Sequence, residues 1–450
     1  MRPTWIQTYV ERQTASVINE QVEKRSKKME FLHSDNSRGS SQIALFQRRE
    51  VQTGSLLGQG NFSDVYEVTR FKLLRSGPAS QSPIAEDARL ACCWNAKKVS
   101  SSCKYVIKLP KKPERRGFLG SSRRSQDGSR NNNRFPEYTK ASIDLILEGK
   151  FLSALDHKHI IKVRGLSCGP SPFIIMDRLE STLAERLEQW RAADSSINHA
   201  LILKEKTNYA LQMADAIDYL HQRRLIVRDF KPANTGFKRG LNGVDQVQLF
   251  DFGLCRELPQ SLYFEAKDED QIFRMSMAGT LRYMSVEQVN TGFYGLKSDV
   301  YSWAVVVFEM MTLEVPYANI CNNQAMHRRY VCQGGERPEF PKDSQVPACI
   351  QELICEGWSQ EIKNRPTMKS VCSRLEEIID HDLSFPSKES RPQKTVSVSQ
   401  QDMDTLIAAA AACNKPMSTV NRNHHKRPSV TSAASANPKR RCSMNAAYLL

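Results

Sequence analysis

The sequence predicts an α+β protein built in two lobes. Strand-like segments lie between residues 51 and 177, and helix-like segments dominate from residue 204 to residue 380. Strands followed by helices, without regular alternation, are typical of an α+β architecture. A Ser/Pro/Lys/Arg/Asn-rich composition from about residue 384 predicts a disordered tail. We therefore expect a small, mostly β lobe with one helix, a larger helical lobe and disordered tails.

The individual elements follow from short-range patterns. The stretch "VQTGSLLGQGNFSDVYEVTRF" (51–71) predicts a strand, a glycine-rich turn and a second strand. "KYVIKL" (104–109) predicts another strand, and a Ser/Pro/Ala-rich stretch at 75–90 precedes it. Residues 138–157 predict a helix because their apolar residues recur at a spacing of three to four. The remaining predictions are short strands at 160–167 and 172–177, then long helices at 204–222, 298–312 and 367–380.

Size and composition favour a globular protein that is not embedded in a membrane. The chain has 450 residues, of which 40% are hydrophobic and 25% charged. It lacks the run of about 18 to 20 apolar residues that a membrane span needs, and the N-terminus lacks the apolar centre of a secretion signal. The twelve cysteines are scattered without metal-binding spacing, which predicts free thiols. We expect a cytoplasmic location, with the nucleus as the alternative, and no membrane partner.

The net charge of +15 is concentrated in two low-complexity tracts. Residues 110–136 carry eight basic and two acidic residues, and residues 388–450 carry ten basic and three acidic residues. The rest of the chain is nearly neutral, so we do not expect a nucleic-acid partner. The tracts are either solvated chain or docking sites for acidic partners. Two basic clusters, at 426–427 and 439–441, resemble a bipartite signal for import receptors, next to the candidate phosphorylation sites Ser429 and Ser443.

The glycine-rich turn "GQGNFSDV" could cover a phosphate group. Gly58 and Gly60 allow close approach of the backbone, so that main-chain N–H groups can reach phosphate oxygens, and Val65 begins the next strand. Ser63 occupies the position where a third glycine would complete the pattern. The alternative is an ordinary hairpin without a ligand.

Lys108 is a charged residue inside an apolar strand. Such a lysine loses favourable hydration unless a phosphate or a carboxylate pairs with it. Glu148, in the middle of the following predicted helix, is the natural partner. The alternatives are that Lys108 faces solvent at a sheet edge, or that Lys98 in "NAKKV" takes this role.

The stretch "LIVRDFKPANTGF" (225–237) carries side chains suited to phosphoryl transfer. Asp229 could accept a hydroxyl proton, and Lys231 could reach the transferring phosphate. Asn234 and Asp251, in "VQLFDFGLC", offer oxygen ligands suited to Mg²⁺. Phosphoryl transfer depends mainly on positioned phosphates, metal ions and an oriented nucleophile. The alternative is a capped helix end followed by an unrelated turn.

In this order, the motifs resemble those of the eukaryotic protein kinases over residues 51–380. The resemblance includes the glycine-rich turn, "VIK" with Lys108, "VRDFKPAN", "DFG" at 251–253, "GTLRYMSVE" at 279–287, "SDVYSWAVVVFEM" and "NRP" at 364–366. It implies a bilobal kinase fold with an N-lobe at about 51–176, a C-lobe at about 180–380 and a basic insertion at about 110–136. Residues 1–50 would then be an N-terminal extension and 384–450 a basic tail.

The resemblance also implies roles for individual residues. Asp229 would be the catalytic aspartate, Lys231 would contact the γ-phosphate of ATP, and Asn234 and Asp251 would hold Mg²⁺. Lys108 would hold the α- and β-phosphates with Glu148 as its partner. Further implied roles are a gatekeeper at Met176, adenine contacts from the backbones of Asp177 and Leu179, a brace at Asp299, a contact from Thr280 to Asp229 and Lys231, and an ion pair between Arg365 and Glu287.

The resemblance predicts a serine/threonine kinase that acts on protein substrates. Lys231 followed by Pro232 is similar to the serine/threonine type, and "GTLRYMSVE" is similar to the tyrosine-kinase-like branch. Val227 replaces the usual histidine, so the alternative is a pseudokinase or nucleotide-binding scaffold. A third alternative makes the basic tracts the main binding sites. Arg228 beside Asp229 suggests regulation through an anion, with Ser276 as the candidate phosphorylation site.

Overall fold

The computed structural model describes residues 5–33, 43–60, 62–74, 82–97, 104–111, 136–192, 199–240, 243–259, 270–320 and 323–381. Within the helices, only the backbone is described for residues 5–14, 136 and 199–202. Most of the basic insertion, the whole basic tail with Ser429 and Ser443, and Lys98 lie outside the described residues. The predictions made for them remain predictions.

A six-stranded sheet forms the N-lobe, as the apolar strand patterns predict. Its order is β1-β5-β6-β4-β3-β2, and every neighbouring pair is antiparallel except β1 with β5. β2 and β3 flank the glycine-rich turn. The edge strand β1 comes from the predicted N-terminal extension, so the sheet begins upstream of residue 51. The strands are β1 (Ala44–Phe46), β2 (Val51–Gln59), β3 (Ser63–Phe71), β4 (Tyr105–Pro110), β5 (Val163–Ser167) and β6 (Ile174–Asp177).

Three helices accompany this sheet, whereas the sequence predicted one. Helix α3 (Pro136–Ser153) is the predicted one, and it carries Glu148. Helix α1 (Trp5–Ser26) lies in the N-terminal extension and packs on α3. Helix α2 (Pro83–Lys97) forms where the composition predicted only a Ser/Pro/Ala-rich stretch. The sequence analysis missed α2 because the position of this helix depends on a contact with a residue that lies far away in the sequence.

That contact of α2 is a buried ion pair. The guanidinium of Arg89 donates to Glu50, which lies just before β2, and both side chains are almost completely buried. Glu50 also accepts the backbone N–H groups of Gln47 and Leu74. These contacts satisfy a buried carboxylate that would otherwise be costly to desolvate. The ion pair therefore fixes α2, which lies between β3 and β4 in the sequence, to the N-lobe sheet.

The C-lobe is mainly helical, as predicted, and its core surrounds α7. Apart from Thr312, every residue of α7 is buried, so this helix is the centre of the lobe rather than an amphipathic surface helix. One three-stranded sheet and two two-stranded sheets of short strands accompany these helices. The elements are β7 (Ser181–Thr182), α4 (Leu183–Ala192), α5 (His199–His221), β8 (Leu225–Ile226), β9 (Thr235–Arg239), β10 (Asp245–Leu249), β11 (Arg256–Glu257), β12 (Phe273–Arg274), α6 (Val286–Asn290), β13 (Phe293–Tyr294), α7 (Lys297–Thr312), α8 (Gln324–His327), α9 (Ala348–Gly357) and α10 (Met368–His381).

Eight of the twelve cysteines lie in the described part of the chain. All eight cysteines in the described part of the chain are free thiols. Among the described residues, no group of three or more His, Cys, Asp or Glu side chains is arranged to hold a metal ion by itself. The helices seen in the described ranges are all too short or too polar to cross a membrane.

A buried histidine makes the stability of the C-lobe dependent on pH. His327 at the end of α8 is fully buried, and its Nδ1 lies 3.7 Å from the Cys332 sulfur. Burial, reinforced by the charge of Arg337, lowers the pKa of His327 from 6.5 to about 4. Because the folded pKa lies below the unfolded value, the unfolded chain binds a proton more readily. The contribution of neutral His327 to stability is therefore fully present above the unfolded pKa of 6.5, and it is lost as the pH falls towards 4.

We expect His327→Gln to weaken this dependence. Between pH 7 and pH 5, the wild-type free energy of unfolding should fall by about 2 kcal/mol more than that of the variant. Urea unfolding at both pH values measures the difference, with His381→Gln at the exposed end of α10 as the control. Equal pH dependence in the wild type and His327→Gln would contradict the prediction.

Candidate active site

Lys108 lies at the centre of a charge cluster between the lobes, in which Lys108 and Glu148 are buried. It points from β4, and its Nζ lies 2.7 and 2.8 Å from the two carboxylate oxygens of Glu148 on α3. The same Nζ lies 3.0 Å from Oδ1 of Asp251, which follows β10 in the C-lobe. The structure thus brings together the predicted pair and adds a contact to Asp251. Lys108 is not a solvent-facing edge residue.

The electrostatics of this cluster keep Lys108 charged. Burial alone would lower the pKa of Lys108, but the carboxylates of Asp251 and Glu148 outweigh burial and raise it above its usual range. Burial raises the pKa of Glu148, although the lysine charge opposes this change. A permanently charged ammonium group in a cleft is suited to bind phosphate oxygens.

A second cluster surrounds Asp229, in the loop after β8. Lys231 Nζ lies 2.8 Å from Asp229 Oδ2, and Thr280 Oγ1 donates to Asp229 Oδ1 at 2.8 Å. Lys231 Nζ also lies 2.9 Å from Thr280 Oγ1. The predicted contact of Thr280 with both residues is therefore observed. Three side chains hold the carboxylate in one orientation, because Asn234 Nδ2 also lies 3.3 Å from Oδ2.

Two oxygen donors lie at the junction of the two clusters. Asn234 Nδ2 donates to the backbone carbonyl of Asp229 at 2.9 Å, which fixes the amide and leaves its oxygen available. The backbone N–H of Phe250 donates to the carbonyl of Asn234 at 3.1 Å. Because Asp251 is the next residue after Phe250, this bond brings Asp251 close to Asn234. The Asp251 side chain is 46% exposed, and one carboxylate oxygen contacts Lys108. A carboxylate and an amide oxygen are ligands that hard divalent cations accept.

The glycine-rich turn lies next to the strand that bears Lys108. Gly58 is paired with Val65 across the hairpin, and Val65 is paired with Lys108 in the neighbouring strand. The backbone N–H of Gly60 donates to the carbonyl of Ser63 at 2.7 Å and closes the turn. The turn therefore lies beside the strand of Lys108, and the cover over a phosphate stays a prediction.

The hinge between the lobes is the segment after β6. Met176, Asp177 and Leu179 are all buried. The backbone N–H groups of residues 177, 178 and 180 donate to protein carbonyls, whereas the Leu179 N–H has no protein acceptor among the residues that the structure describes. The Leu179 N–H is therefore available to a ligand, and its contact with adenine stays a prediction.

The side chain of Asp177 has a role that the sequence did not suggest. Its carboxylate accepts two bonds from Arg164 on β5, at 2.6 and 2.8 Å. It also accepts one from Lys238 on β9 in the C-lobe, at 2.6 Å. Burial would raise the pKa of Asp177, but Arg164 and Lys238 outweigh burial and lower it. One carboxylate therefore joins the two lobes at the hinge.

Two further predicted contacts support the site from behind. Asp299 on α7 accepts the backbone N–H groups of Val227 and Arg228 at 2.8 and 3.0 Å, as predicted for a brace of the loop that carries Asp229. Arg365 forms two bonds to Glu287, at 2.7 and 2.8 Å, inside the C-lobe. Both predicted contacts are confirmed. Val227, which replaces the usual histidine, is buried, and its backbone N–H keeps the bond to Asp299.

Arg228 connects the Asp229 loop to the segment that contains Ser276. Its guanidinium donates to the Ser276 carbonyl at 2.6 Å and lies 3.3 Å from Ser276 Oγ. It also donates to the hydroxyl of Tyr294 at 2.9 Å. The sequence suggested that Arg228 would need an anion as a partner, but these protein acceptors already satisfy it. Ser276 is exposed and remains a candidate for phosphorylation.

Gly279 is a residue whose importance the sequence analysis missed. It precedes Thr280 and has φ +120°, and a side-chain carbon there would overlap the carbonyl oxygen of Arg228. Only glycine therefore allows Thr280 to reach Asp229. The signal in the sequence was a glycine directly before the threonine, in "GTLRYMSVE".

We expect Gly279→Ala to lower the turnover of the site at least tenfold, because the added methyl group displaces Thr280 and Lys231 from Asp229. Gly335→Ala is the matched control: Gly335 has φ +73° but no atom within 4 Å of the added carbon. The control should lose about 1 kcal/mol of stability and keep its turnover. Steady-state kinetics with both variants measure the effect. Equal losses in the two variants would show that backbone strain, not the overlap with Arg228, is responsible.

Comparison with known proteins agrees with this geometry. The family model described as protein tyrosine and serine/threonine kinase matches residues 135–375, more than half of the chain. The chain belongs to this protein kinase family. The sheet-based N-lobe and the helical C-lobe form its bilobal fold, and the fold prediction is confirmed. Protein kinases as a family transfer a phosphoryl group from ATP with the help of a divalent metal.

The relatives of this kinase include enzymes named for different hydroxyl specificities. It is 28% identical to the putative mitogen-activated protein kinase kinase kinase 7-like of Drosophila melanogaster, over 49% of this chain and 52% of the relative. It is 26% identical to the proto-oncogene tyrosine-protein kinase ROS of Gallus gallus, over 76% of this chain and 12% of the relative. A probable serine/threonine-protein kinase of Dictyostelium discoideum is 30% identical over 52% of this chain and 13% of the relative. The matched region therefore spans about half or less of these three relatives.

Proposed function

We propose that this kinase transfers the γ-phosphoryl group of ATP to serine and threonine hydroxyls of protein substrates. The observation that carries the proposal is the cluster in which Lys231, Thr280 and Asn234 all contact Asp229. Because three side chains hold this carboxylate in one orientation, it is positioned to meet the hydroxyl group of a substrate. The nearby Lys108 cluster supplies the complementary binding site for phosphate.

Asp229 is the group that meets the attacking hydroxyl. A bond forms between the substrate oxygen and the γ-phosphorus, the bond from that phosphorus to the β-phosphate oxygen breaks, and Asp229 accepts the hydroxyl proton. Lys231 neutralises part of the charge on the transferring group and keeps the carboxylate in place. Thr280 ties both residues to the segment that follows Gly279, so that the loop and this segment act together.

The phosphate donor binds between the glycine-rich turn and Lys108. The Lys108 ammonium contacts the α- and β-phosphates, and Glu148 holds it in position from α3. Asp251 and Asn234 are the oxygen donors for the divalent metal, for which we propose Mg²⁺. When bound, the metal neutralises phosphate charge. Met176 borders the adenine pocket, and the backbones of Asp177 and Leu179 face the adenine edge.

The preference for serine and threonine is supported by the sequence at Lys231. This lysine is followed by Pro232, and its Nζ contacts both Asp229 and Thr280. Relatives named as serine/threonine kinases and as tyrosine kinases both match the chain, so the residue class of the acceptor needs a direct test. We further propose that phosphorylation of exposed Ser276, beside Arg228, regulates the kinase.

The test is transfer of ³²P from γ-labelled ATP with Mg²⁺ to a generic basic protein, followed by phosphoamino acid analysis. We expect phosphoserine and phosphothreonine with the full-length wild type, and loss of the label with Asp251→Ala. Asp343→Ala, at an exposed loop carboxylate, is the control that keeps activity.

Two other results would change the function. Label on tyrosine would replace the proposed specificity with that of a tyrosine kinase. Absence of label in every variant, while ATP still raises the unfolding temperature of the wild type, would favour the nucleotide-binding scaffold.

A further inference from the structure

The N-terminal segment packs directly on the helix that carries Glu148. On α1, Ile18 and Val22 are buried against Ile143 and Leu147 of α3. Leu147 is the neighbour of Glu148 in the chain. Arg25 Nη1 lies 3.0 Å from Asp144 Oδ1 at the edge of the same contact. Because Leu147 is held from the α1 side, the position of Glu148 depends on this packing.

The same segment then reaches the C-lobe. After α1, the 3₁₀ turn Glu30–His33 places the Phe31 ring 5.4 Å from the ring of Phe151, near the end of α3. Phe151 in turn stacks on Phe252, which directly follows Asp251, with ring centres 6.2 Å apart. Three aromatic rings therefore connect the N-terminal segment to the loop of the proposed metal ligand.

Polar contacts fix this turn to the strands that flank the catalytic loop. The backbone N–H of Phe31 donates to Glu257 Oε1 at 2.9 Å, and Glu30 pairs with Arg224 at 3.1 Å. Glu257 lies in β11, which pairs with β8 just before the loop of Asp229. Phe31 is almost fully buried, so this contact excludes water.

We propose that residues 5–33 are a positioning element that holds α3 and the Asp251–Glu257 segment together, so that Glu148 stays against Lys108. The inference rests on the proposed function and adds regulation to it. In the part of the segment whose side chains the structure describes, residues 15–32, no side chain contacts a group of the proposed chemistry. The segment acts through Leu147, Phe151 and Glu257, which lie next to or behind those groups. Ile18 and Phe31 are its principal positioning residues.

Weakening this element should shift molecules towards an arrangement in which Glu148 leaves Lys108. Ile18→Asp places a charge in the α1–α3 contact, and Phe31→Ala removes the first ring of the aromatic stack. Val17→Asp is the matched control, because Val17 is the adjacent β-branched residue and is 42% exposed. Phe31→Leu is the conservative variant, since leucine retains most of the apolar contact with Phe151.

The experiment uses the full-length chain and two measurements. Phosphotransfer at saturating ATP and protein substrate should fall at least tenfold in Ile18→Asp and Phe31→Ala, and stay within twofold in Val17→Asp and threefold in Phe31→Leu. Hydrogen exchange at the amides of 143–152 and 256–258 should rise at least tenfold in the two disruptive variants. Exchange in α7 and α9 should not change.

The outcomes separate a positioning role of residues 5–33 from a general contribution to stability. Wild-type turnover and exchange in Ile18→Asp and Phe31→Ala would overturn the proposal, as would an equal rise of exchange in α7 and α9, which indicates general destabilisation. Loss of turnover in Val17→Asp as well would also overturn it. If the wild type transfers no phosphate, the proposed function fails, and the exchange measurement still decides whether this segment positions α3.

Discussion

Replacing Asp229 with asparagine should lower the rate of phosphotransfer by roughly 10²- to 10⁴-fold while the fold remains intact. An amide has nearly the same shape as a carboxylate, so with its oxygen in the Oδ2 position it keeps the bond from Lys231, and its NH2 group in the Oδ1 position can donate to the Thr280 hydroxyl. It cannot accept the proton of the attacking hydroxyl, and it carries no charge to complement Lys231. The loss should therefore appear in the turnover number, with a small change in the Michaelis constant for ATP.

The measurement is steady-state phosphotransfer by Asp229→Asn beside Asp156→Asn. In the control, Asp156 also changes from a carboxylate to an amide, but its side chain is 88% exposed and paired with Lys162. The control should match the wild type in rate and stability. If Asp229→Asn kept more than a tenth of the wild-type rate with an unchanged unfolding temperature, Asp229 would not be the group that meets the hydroxyl.

Replacing Arg365 with methionine should have the largest effect on stability. Arg365 is 1% exposed and forms both bonds to Glu287. It also donates to the carbonyls of Ser359 and Lys297. Without the guanidinium, the buried Glu287 carboxylate has lost its compensating charge, which costs about 3 to 5 kcal/mol of unfolding free energy.

Chemical denaturation of Arg365→Met and Arg374→Met tests this expectation. Arg374 forms a similar two-bond pair with Glu356, but both side chains are about a third or more exposed, so its loss should cost at most about 1 kcal/mol. A double variant, Arg365→Met with Glu287→Leu, should recover part of the loss because no buried charge remains. Equal costs at Arg365 and Arg374 would show that burial does not govern these pairs.

Acidification should reduce the difference between Arg365→Met and the wild type. Burial would raise the pKa of Glu287, but Arg365 outweighs burial and lowers it below 4.5. The wild type therefore gains stability from this group above pH 4.5 and loses it as the pH falls through the lowered pKa. In the variant, the unpaired carboxyl has a raised pKa and is neutralised earlier, which relieves the buried charge. Repeating the denaturation at pH 5 and pH 7 checks the direction.

Much of the site was predictable because its chemistry requires particular residue types, and many of these residues lie within short stretches of the sequence. A lysine within an apolar strand requires a counter-charge, and Glu148 is the carboxylate at the centre of the next helix. Asp229 and its neighbours lie within one short loop, so their contacts depend on a few residues. The pairing of Arg365 with Glu287 required the family resemblance, because 78 residues separate the two.

The missed elements depend on contacts between distant parts of the chain. In the part of α1 whose side chains are described, only Ile18 and Val22 are buried apolar residues, so an otherwise polar sequence gave little sign of its packing. Helix α2 is held by Arg89, whose partner Glu50 lies 39 residues earlier. A glutamate without any exposed surface contradicts the usual expectation that charged residues face solvent. Only the assembled tertiary structure explains these cases.

The carboxylate of Asp177 makes the motion between the lobes sensitive to ionic strength. Rotation that opens the cleft separates β5 from β9, so it must lengthen the contact to Lys238 while Arg164 stays in place. Lys238 is 41% exposed, and dissolved ions therefore reach and weaken that contact. Where cleft opening limits nucleotide release, we expect added salt to raise the turnover number, although the salt ions contact none of the reacting atoms.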